Sequence, residues 1–177
     1  CNGKGVALSD LGQYKEAIEC YDEVIKIDKT WTHAWSNKGN ALLSLQQFKK
    51  ANECYDEAIS LDKKRKYPWF NKGQCLDELG QYKKAIECYD EVISLDKKYK
   101  LALLNKGDIL KNKLGQHKKA KECYREAVKI QSENSYGWRL DGVCFSRLGQ
   151  YRKAIKCCDK SIEMNPKDPD PKFVKAH

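Results

Sequence analysis

Five glycines set the terms for this chain: Gly5, Gly39, Gly73, Gly107 and Gly142 stand 34, 34, 34 and 35 residues apart. Ala17, Ala51, Ala85, Ala120 and Ala154 keep the same beat, and so do Tyr21, Tyr55, Tyr89 and Tyr124, with Cys158 in the fifth place. Trp35, Trp69 and Trp138 form a further column in which Leu103 fills the fourth unit. A segment of that length cannot bury both of its faces alone, so like units have to stack and share a core.

Inside a unit the apolar pattern is helical twice. Tyr82, Ala85, Ile86, Tyr89, Val92 and Ile93 recur at three- and four-residue steps, which puts one stripe on a helix. Trp69, Gly73, Leu76 and Leu79 do the same just before it. Leu-Gly-Gln separates the two stretches at Leu11, Leu79, Leu114 and Leu148, and glycine after a last apolar residue is a helix stop. The second unit reads Leu45-Gln46-Gln47 instead, which predicts a strained or differently shaped turn. Gly73 and Ala85 are the expected close crossing within a unit, with Trp69 and Tyr89 filling the wider space.

Trp69, Gly73, Leu76, Gly80, Tyr82, Ala85 and Tyr89 together resemble the tetratricopeptide repeat. The resemblance implies an all-α, right-handed superhelical solenoid whose first helices line a concave groove and whose second helices form the convex side. The expected units are 1–31 (lacking its start), 32–65, 66–99, 100–134 and 135–168, with 169–177 opening a capping helix or sixth unit. Three departures stand out. The closing proline occurs only as Pro166; Lys4, Lys38, Lys72 and Lys106 replace the usual leucine before the glycine; and one extra residue near Lys111-Asn112-Lys113 predicts a bulge or longer turn. Cys1 in place of Met, and a pattern that stops midway, suggest an internal piece of a longer protein.

Nine cysteines raise the question of disulfides or metal. Cys20, Cys54, Cys88, Cys123 and Cys157 form one column, Cys75 and Cys144 another. One cysteine per repeat does not make the convergent pairs a zinc site needs, so they read as small buried hydrophobes in a reducing, cytoplasmic setting with the nucleus not excluded. No cofactor or metal is expected. No apolar run approaches the roughly 20 residues a membrane-spanning helix needs.

Catalysis finds little support, and the chain reads as a non-enzyme. It has no Gly-rich phosphate loop, HExxH or GxSxG; His117 falls in the ring column of Tyr14, Phe48, Tyr82 and Tyr151, and His33 has no Cys or carboxylate partner in view. A protein-interaction module within a larger assembly is the favoured reading. On the geometry the resemblance implies, Tyr67, Phe70, Leu101, Leu104 and Tyr136 form an apolar strip along the groove, and Arg139 and Arg147 would receive a carboxylate beside it. Its partner would be a protein or peptide segment with apolar anchors. Family members that grip acidic chaperone tails carry a cationic clamp; here Ser36, Asn40, Asn71, Leu101 and Asn105 stand at those positions, so chaperone tails are not expected.

A formal net charge of +9 opens the alternative of nucleic acid or another acidic polymer on the outer surface. Against it, Lys15–Glu19, Lys49–Glu53, Lys83–Glu87 and Lys118–Glu122 are four apart and partly neutralise each row, and no aromatic residues interleave with the basic runs. A solvated surface is preferred, and an architectural spacer is the third reading.

Overall fold

The stripes described above become helices. The computed structural model describes residues 2–166, which hold α1 (Asn2–Asp10), α2 (Tyr14–Ile27), α3 (Thr32–Ser44), α4 (Phe48–Leu61), α5 (Lys66–Glu78), α6 (Tyr82–Leu95), α7 (Lys100–Asn112), α8 (His117–Lys129), α9 (Ser135–Arg147) and α10 (Tyr151–Met164). Among the described residues there is no strand. The capping helix expected over 169–177 and the start at Cys1 lie outside them. By its internal contacts the chain divides into two compact units, Cys1–Leu95 and Asp96–His177. Both are built from helix-turn-helix pairs, α1/α2, α3/α4 and α5/α6 in the first, α7/α8 and α9/α10 in the second.

The turns inside the pairs follow one plan. Gly80 takes φ 72°, its N–H bonds the Asp77 carbonyl at 2.9 Å, and the Gln81 N–H reaches back to Leu76 at 2.8 Å. These two bonds satisfy carbonyls that a helix end would otherwise leave open. Gln46 adopts φ 57° and makes the same two bonds, to Leu43 and Leu42. The turn without glycine therefore keeps its shape, and the strain sits in the backbone of a residue that carries a Cβ. In the fourth repeat the extra residue lengthens the turn, as expected: α7 ends at Asn112, α8 begins at His117, and the Gln116 N–H reaches back to Leu110.

Between pairs, an aspartate side chain folds the loop. Asp28, Asp62 and Asp96 accept from the N–H two residues on, at Thr30, Lys64 and Lys98. Trp35 and Trp69 brace the first two of these loops, their indole N–H groups donating to the carbonyls of Lys29 and Lys63 at 2.9 and 3.0 Å. Pro68 sits in the first turn of α5, where the missing N–H costs nothing.

The close helix crossing differs from expectation. A Cβ on Gly73 would stand 2.7 Å from the Tyr89 ring, and Gly5, Gly39 and Gly107 face Tyr21, Tyr55 and Tyr124 in the same way. The glycine column thus makes room for the tyrosine column, whose rings are the nearest neighbours of these glycines. In the last repeat, where the tyrosine is Cys158, a Cβ on Gly142 would meet Cys158 Sγ at 3.1 Å and the Ala154 carbonyl at 3.4 Å. There the chain does approach the alanine backbone.

Candidate functional site

Three of the buried tyrosines bond, through their hydroxyls, a polar side chain on the first helix of their own pair: Tyr21 with Ser9, Tyr55 with Asn40 and Tyr124 with Asp108. Tyr55 donates to Asn40 Oδ1 at 2.8 Å, and the same oxygen accepts from Asn71 Nδ2 at 2.8 Å. Tyr124 donates to Asp108 Oδ1 at 2.7 Å, and Arg147 Nε donates to that carboxylate at 2.9 Å. Burial pushes both phenols well above their ordinary range, and the Asp108 carboxylate adds to this for Tyr124. They are donors, not acids. These bonds tie first and second helices together.

The residues nominated from sequence fare unequally. Tyr67 and Tyr136 are exposed, at 58% and 44%, and Leu101 is half-buried. Phe70 and Leu104, expected as exposed anchors, are only 5% and 6% exposed. Phe70 lies 5.7 Å from the Tyr89 ring, so the tyrosine that fills the glycine gap also draws Phe70 inward. Arg147, expected to await a partner's carboxylate, already holds Asp108. Arg139 lies over the Tyr136 ring, 5.0 Å from its centre. Tyr67 and Phe70 belong to the first unit, and the other five to the second.

Within the second unit the structure brings two nominees together. Leu101 and Tyr136 line a cavity of about 370 Å³ together with Tyr99, Ile130, Gly137 and Leu140 and the polar Lys98, Gln131, Glu133 and Asn134. The loop between α8 and α9 shapes it. Gln131 stands where the other loops have their aspartate, and Asn134 Oδ1 instead accepts from the Gly137 N–H at 2.8 Å to start α9.

Two further lining residues, Lys100 and Ser132, belong to a group sequence reasoning missed. Lys100 and Asp141 are buried and ion-paired at 2.6 Å; Ser132 Oγ donates to Asp141 Oδ2 at 2.5 Å and also bonds the Lys100 ammonium. The signal was available: Asp141 stands where the other four repeats have Lys4, Lys38, Lys72 and Lys106, and Ser132 replaces Lys29, Lys63 and Lys97. A serine beside a lysine invites a nucleophilic reading. With its ammonium held by Asp141, however, Lys100 has no lone pair with which to take the serine proton. The arrangement is a lock between α7, the loop and α9.

The first unit answers the same position differently. Lys38 reaches Asp22 at 2.5 Å, Lys72 reaches Asp56, and each lysine also lies over the tryptophan three residues before it. Related clefts open beside these pairs, of about 660 Å³ along Trp35 and 330 Å³ along Trp69. His33, for which no partner was in view, faces Arg65 at 3.0 Å.

The cysteines described are buried and free. Burial pushes the thiols of Cys54 and Cys88 up to about 11, and those of Cys75 and Cys144 up to about 12. Such thiols make poor nucleophiles and poor metal ligands near neutral pH. Among the described residues no three His, Cys, Asp or Glu side chains converge to hold a metal ion, and no helix is long and apolar enough to cross a membrane.

No curated protein sequence matches the chain. Solved structures do. TTC0263, a thermophilic TPR protein of Thermus thermophilus, is 18% identical over 96% of this chain and 92% of its own, with a TM-score of 0.75. YrrB, described as a TPR protein with an unusual peptide-binding site, is 20% identical over 94% and 86%, with a TM-score of 0.66. The first TPR of Spaghetti (RPAP3), bound to the HSP90 peptide SRMEEVD, is 22% identical over 64% and 90%, with a TM-score of 0.63. At these identities the likeness speaks for the fold. Tetratricopeptide-repeat models match residues 1–30, 33–65, 67–99 and 135–168, and a second model of the same repeat matches 101–134. With every unit of the sequence period matched and every unit folded as a helix pair, the chain belongs to the tetratricopeptide repeat family.

Proposed function

We propose that the chain is a non-enzymatic protein-interaction module, and that the second unit takes an apolar side chain of a partner segment in the cavity between Leu101 and Tyr136. The observation that carries this reading is the cavity itself. It is walled by an exposed tyrosine and a half-buried leucine, and it is large enough for one bulky side chain. Arg139 lies over the Tyr136 ring and helps keep it in place. Burying one aromatic anchor there contributes roughly 2–3 kcal/mol, enough to help a micromolar contact once several such groups act together.

The relatives support the class of function. One is named for a peptide-binding site and another is bound to a peptide. A chaperone tail is a poor candidate here: Asn40 and Asn71 bond each other, and no cation joins them in the positions where the clamp would be.

Affinity capture from lysate tests the reading, comparing the chain with a Leu101→Ala, Tyr136→Ala variant at low and high salt. A partner that survives salt and is lost by the variant is the expected result. A salt-resistant partner kept by the variant would overturn the cavity as its site. Phe70→Ala and Leu104→Ala are unsuitable probes, because emptying those buried positions costs about 2–5 kcal/mol of stability whatever the chain binds.

A further inference from the structure

The positive charge is not spread along the chain. Residues 1–95 hold 14 Lys and Arg against 15 Asp and Glu, whereas residues 96–177 hold 20 against 10. The second helices of the repeats provide a control, since they occupy equivalent places in one fold. On α2, α4 and α6 a lysine is followed by Glu and then Asp: Lys15, Glu19, Asp22; Lys49, Glu53, Asp56; Lys83, Glu87, Asp90. Helix α8 keeps Lys118 and Glu122 but breaks the pattern beyond them. Lys121 replaces Ile18, Asn52 and Ile86; Arg125 replaces Asp22, Asp56 and Asp90; Lys129 replaces Ser60 and Ser94, although α2 also has a lysine there, Lys26.

Steps of three and four bring Lys118, Lys121, Arg125 and Lys129 onto one face of α8, all four are exposed, and the one acid among them is Glu122. At 1.5 Å per residue they make a ridge about 16 Å long. Like charges at this spacing weaken a helix, and α2, α4 and α6 show that the fold does not require a cation at the Lys121 or Arg125 position.

Nor does an internal partner account for Arg125. In the first unit Asp22 and Asp56 bond Lys38 and Lys72. The matching lysine position in the last repeat is Asp141, so a swapped Arg125–Asp141 pair would close the same bridge. Asp141 is instead buried against Lys100 and Ser132, and among the described residues Arg125 makes no ion pair.

The chemistry of the ridge selects a partner. Three of its four cations are lysines, which are depleted at protein–protein interfaces, and the large apolar side chain that such an interface would bury is missing, since Tyr124 is buried. Without exposed rings it has no platform for unpaired bases. A regular row of phosphates needs neither, only cations in line. We infer that the exposed face of α8 is a sequence-independent docking surface for duplex nucleic acid, with Lys118, Lys121, Arg125 and Lys129 against its phosphates. This surface is independent of the cavity proposed above for a protein segment.

The test measures binding of fluorescent mixed-sequence DNA and RNA duplexes across a salt series, with poly-glutamate and phosphatidylserine vesicles as competing probes. Both duplexes should bind, with a log–log salt slope of roughly −3 to −4 for four phosphate contacts. The variant Lys121→Asn, Arg125→Asp, Lys129→Ser carries the residues that α4 has at the same positions, so its helix content and melting should match the parent. It should bind at least about tenfold more weakly, with a slope shallower by roughly 2 to 3. Lys63→Gln, Lys64→Gln, Lys83→Gln, Lys84→Gln removes four charges from the first unit and should leave affinity within about threefold, since Asp62 and Glu87 already offset the lysines there. The inference is overturned if neither duplex binds, if the α8 variant binds like the parent, or if the first-unit variant weakens binding as much. Poly-glutamate or vesicles binding as tightly as the duplexes would overturn it too, in favour of an acidic protein or a membrane surface.

Discussion

In the first unit, the lysine that precedes the repeat's glycine stays near the surface and reaches an aspartate on the helix before it. In the second unit, the same position in the last repeat is an aspartate, buried, whose cation comes from the start of an earlier first helix. Lys38 and Asp22 are 21% and 40% exposed, whereas Lys100 and Asp141 are each 7% exposed. The fold accepts either sign at that position, provided a partner is supplied. The consequences differ with depth, because water screens the first pair and not the second.

The sharpest way to break this comparison is to remove one partner from each pair. Lys100→Ala leaves Asp141 buried without its cation and should cost about 3–5 kcal/mol. Lys38→Ala should cost under about 1 kcal/mol. Urea denaturation reads both, and equal losses would erase the distinction. Replacing both partners, Lys100→Met with Asp141→Leu, should recover most of the stability, because a buried apolar pair of similar volume has no charge to desolvate.

A smaller difference is expected at the glycine crossings. Gly73→Ala puts a methyl 2.7 Å from the Tyr89 ring, and that ring is packed on all sides, so the variant should lose about 1–3 kcal/mol. At Gly142→Ala the nearest atom is a single sulfur at 3.1 Å, and a loss under about 1 kcal/mol is expected. The melting temperatures of the two variants compare them directly. A greater loss at Gly142 would show that the Ala154 backbone, not the residue in the tyrosine column, limits the approach.

Alkaline pH acts on the buried thiols of both units. The ordinary thiol value is 9.0, and burial raises Cys54 and Cys88 to about 11 and Cys75 to about 12 in the first unit; in the second, Cys144 rises to about 12 and Cys157 also moves up. Folded thiols therefore hold protons that unfolded ones release. Stability is full below about pH 9 and falls as pH rises towards the folded values, by up to about 1.4 kcal/mol per pH unit for each such thiol. Urea midpoints from pH 7 to about 10 should show the decline, and Cys75→Ala should flatten it. A profile unchanged by Cys75→Ala would mean that this thiol is not among the groups responsible.

The helix pairs, their turns and the longer fourth turn were legible because periodicity reports what every repeat shares. Side chains that differ between repeats were harder. Ser36, Phe70, Leu104 and Arg139 occupy one column with nothing in common, so no pattern signalled that Phe70 turns inward against Tyr89. Arg147 looked available because Asp108 is 39 residues away, although each was individually visible. The Lys100–Asp141–Ser132 lock was readable only as two departures from columns, Asp for Lys and Ser for Lys, whose meaning depends on their meeting in space. Departures from a repeat carry the specific chemistry. They have to be paired before they can be interpreted.

One departure tests the repeats within the first unit against each other. Gln46 and Gly80 close the same turn with the same two hydrogen bonds, at φ 57° and 72°. Glycine meets no Cβ clash at such angles, whereas an L side chain is held there at a cost of roughly 1 kcal/mol. Gln46→Gly should therefore stabilise the first unit, by somewhat less than that cost because glycine also gains freedom in the unfolded chain. The reverse change, Gly80→Gln, should destabilise by a similar amount, with no neighbour obstructing since the nearest atom to a new Cβ is Tyr82 Oη at 4.0 Å. Denaturation midpoints of the two variants should move in opposite directions. If both fall, the Gln46 side chain contributes a contact that outweighs its backbone strain, and the second turn differs from the third in more than its missing glycine.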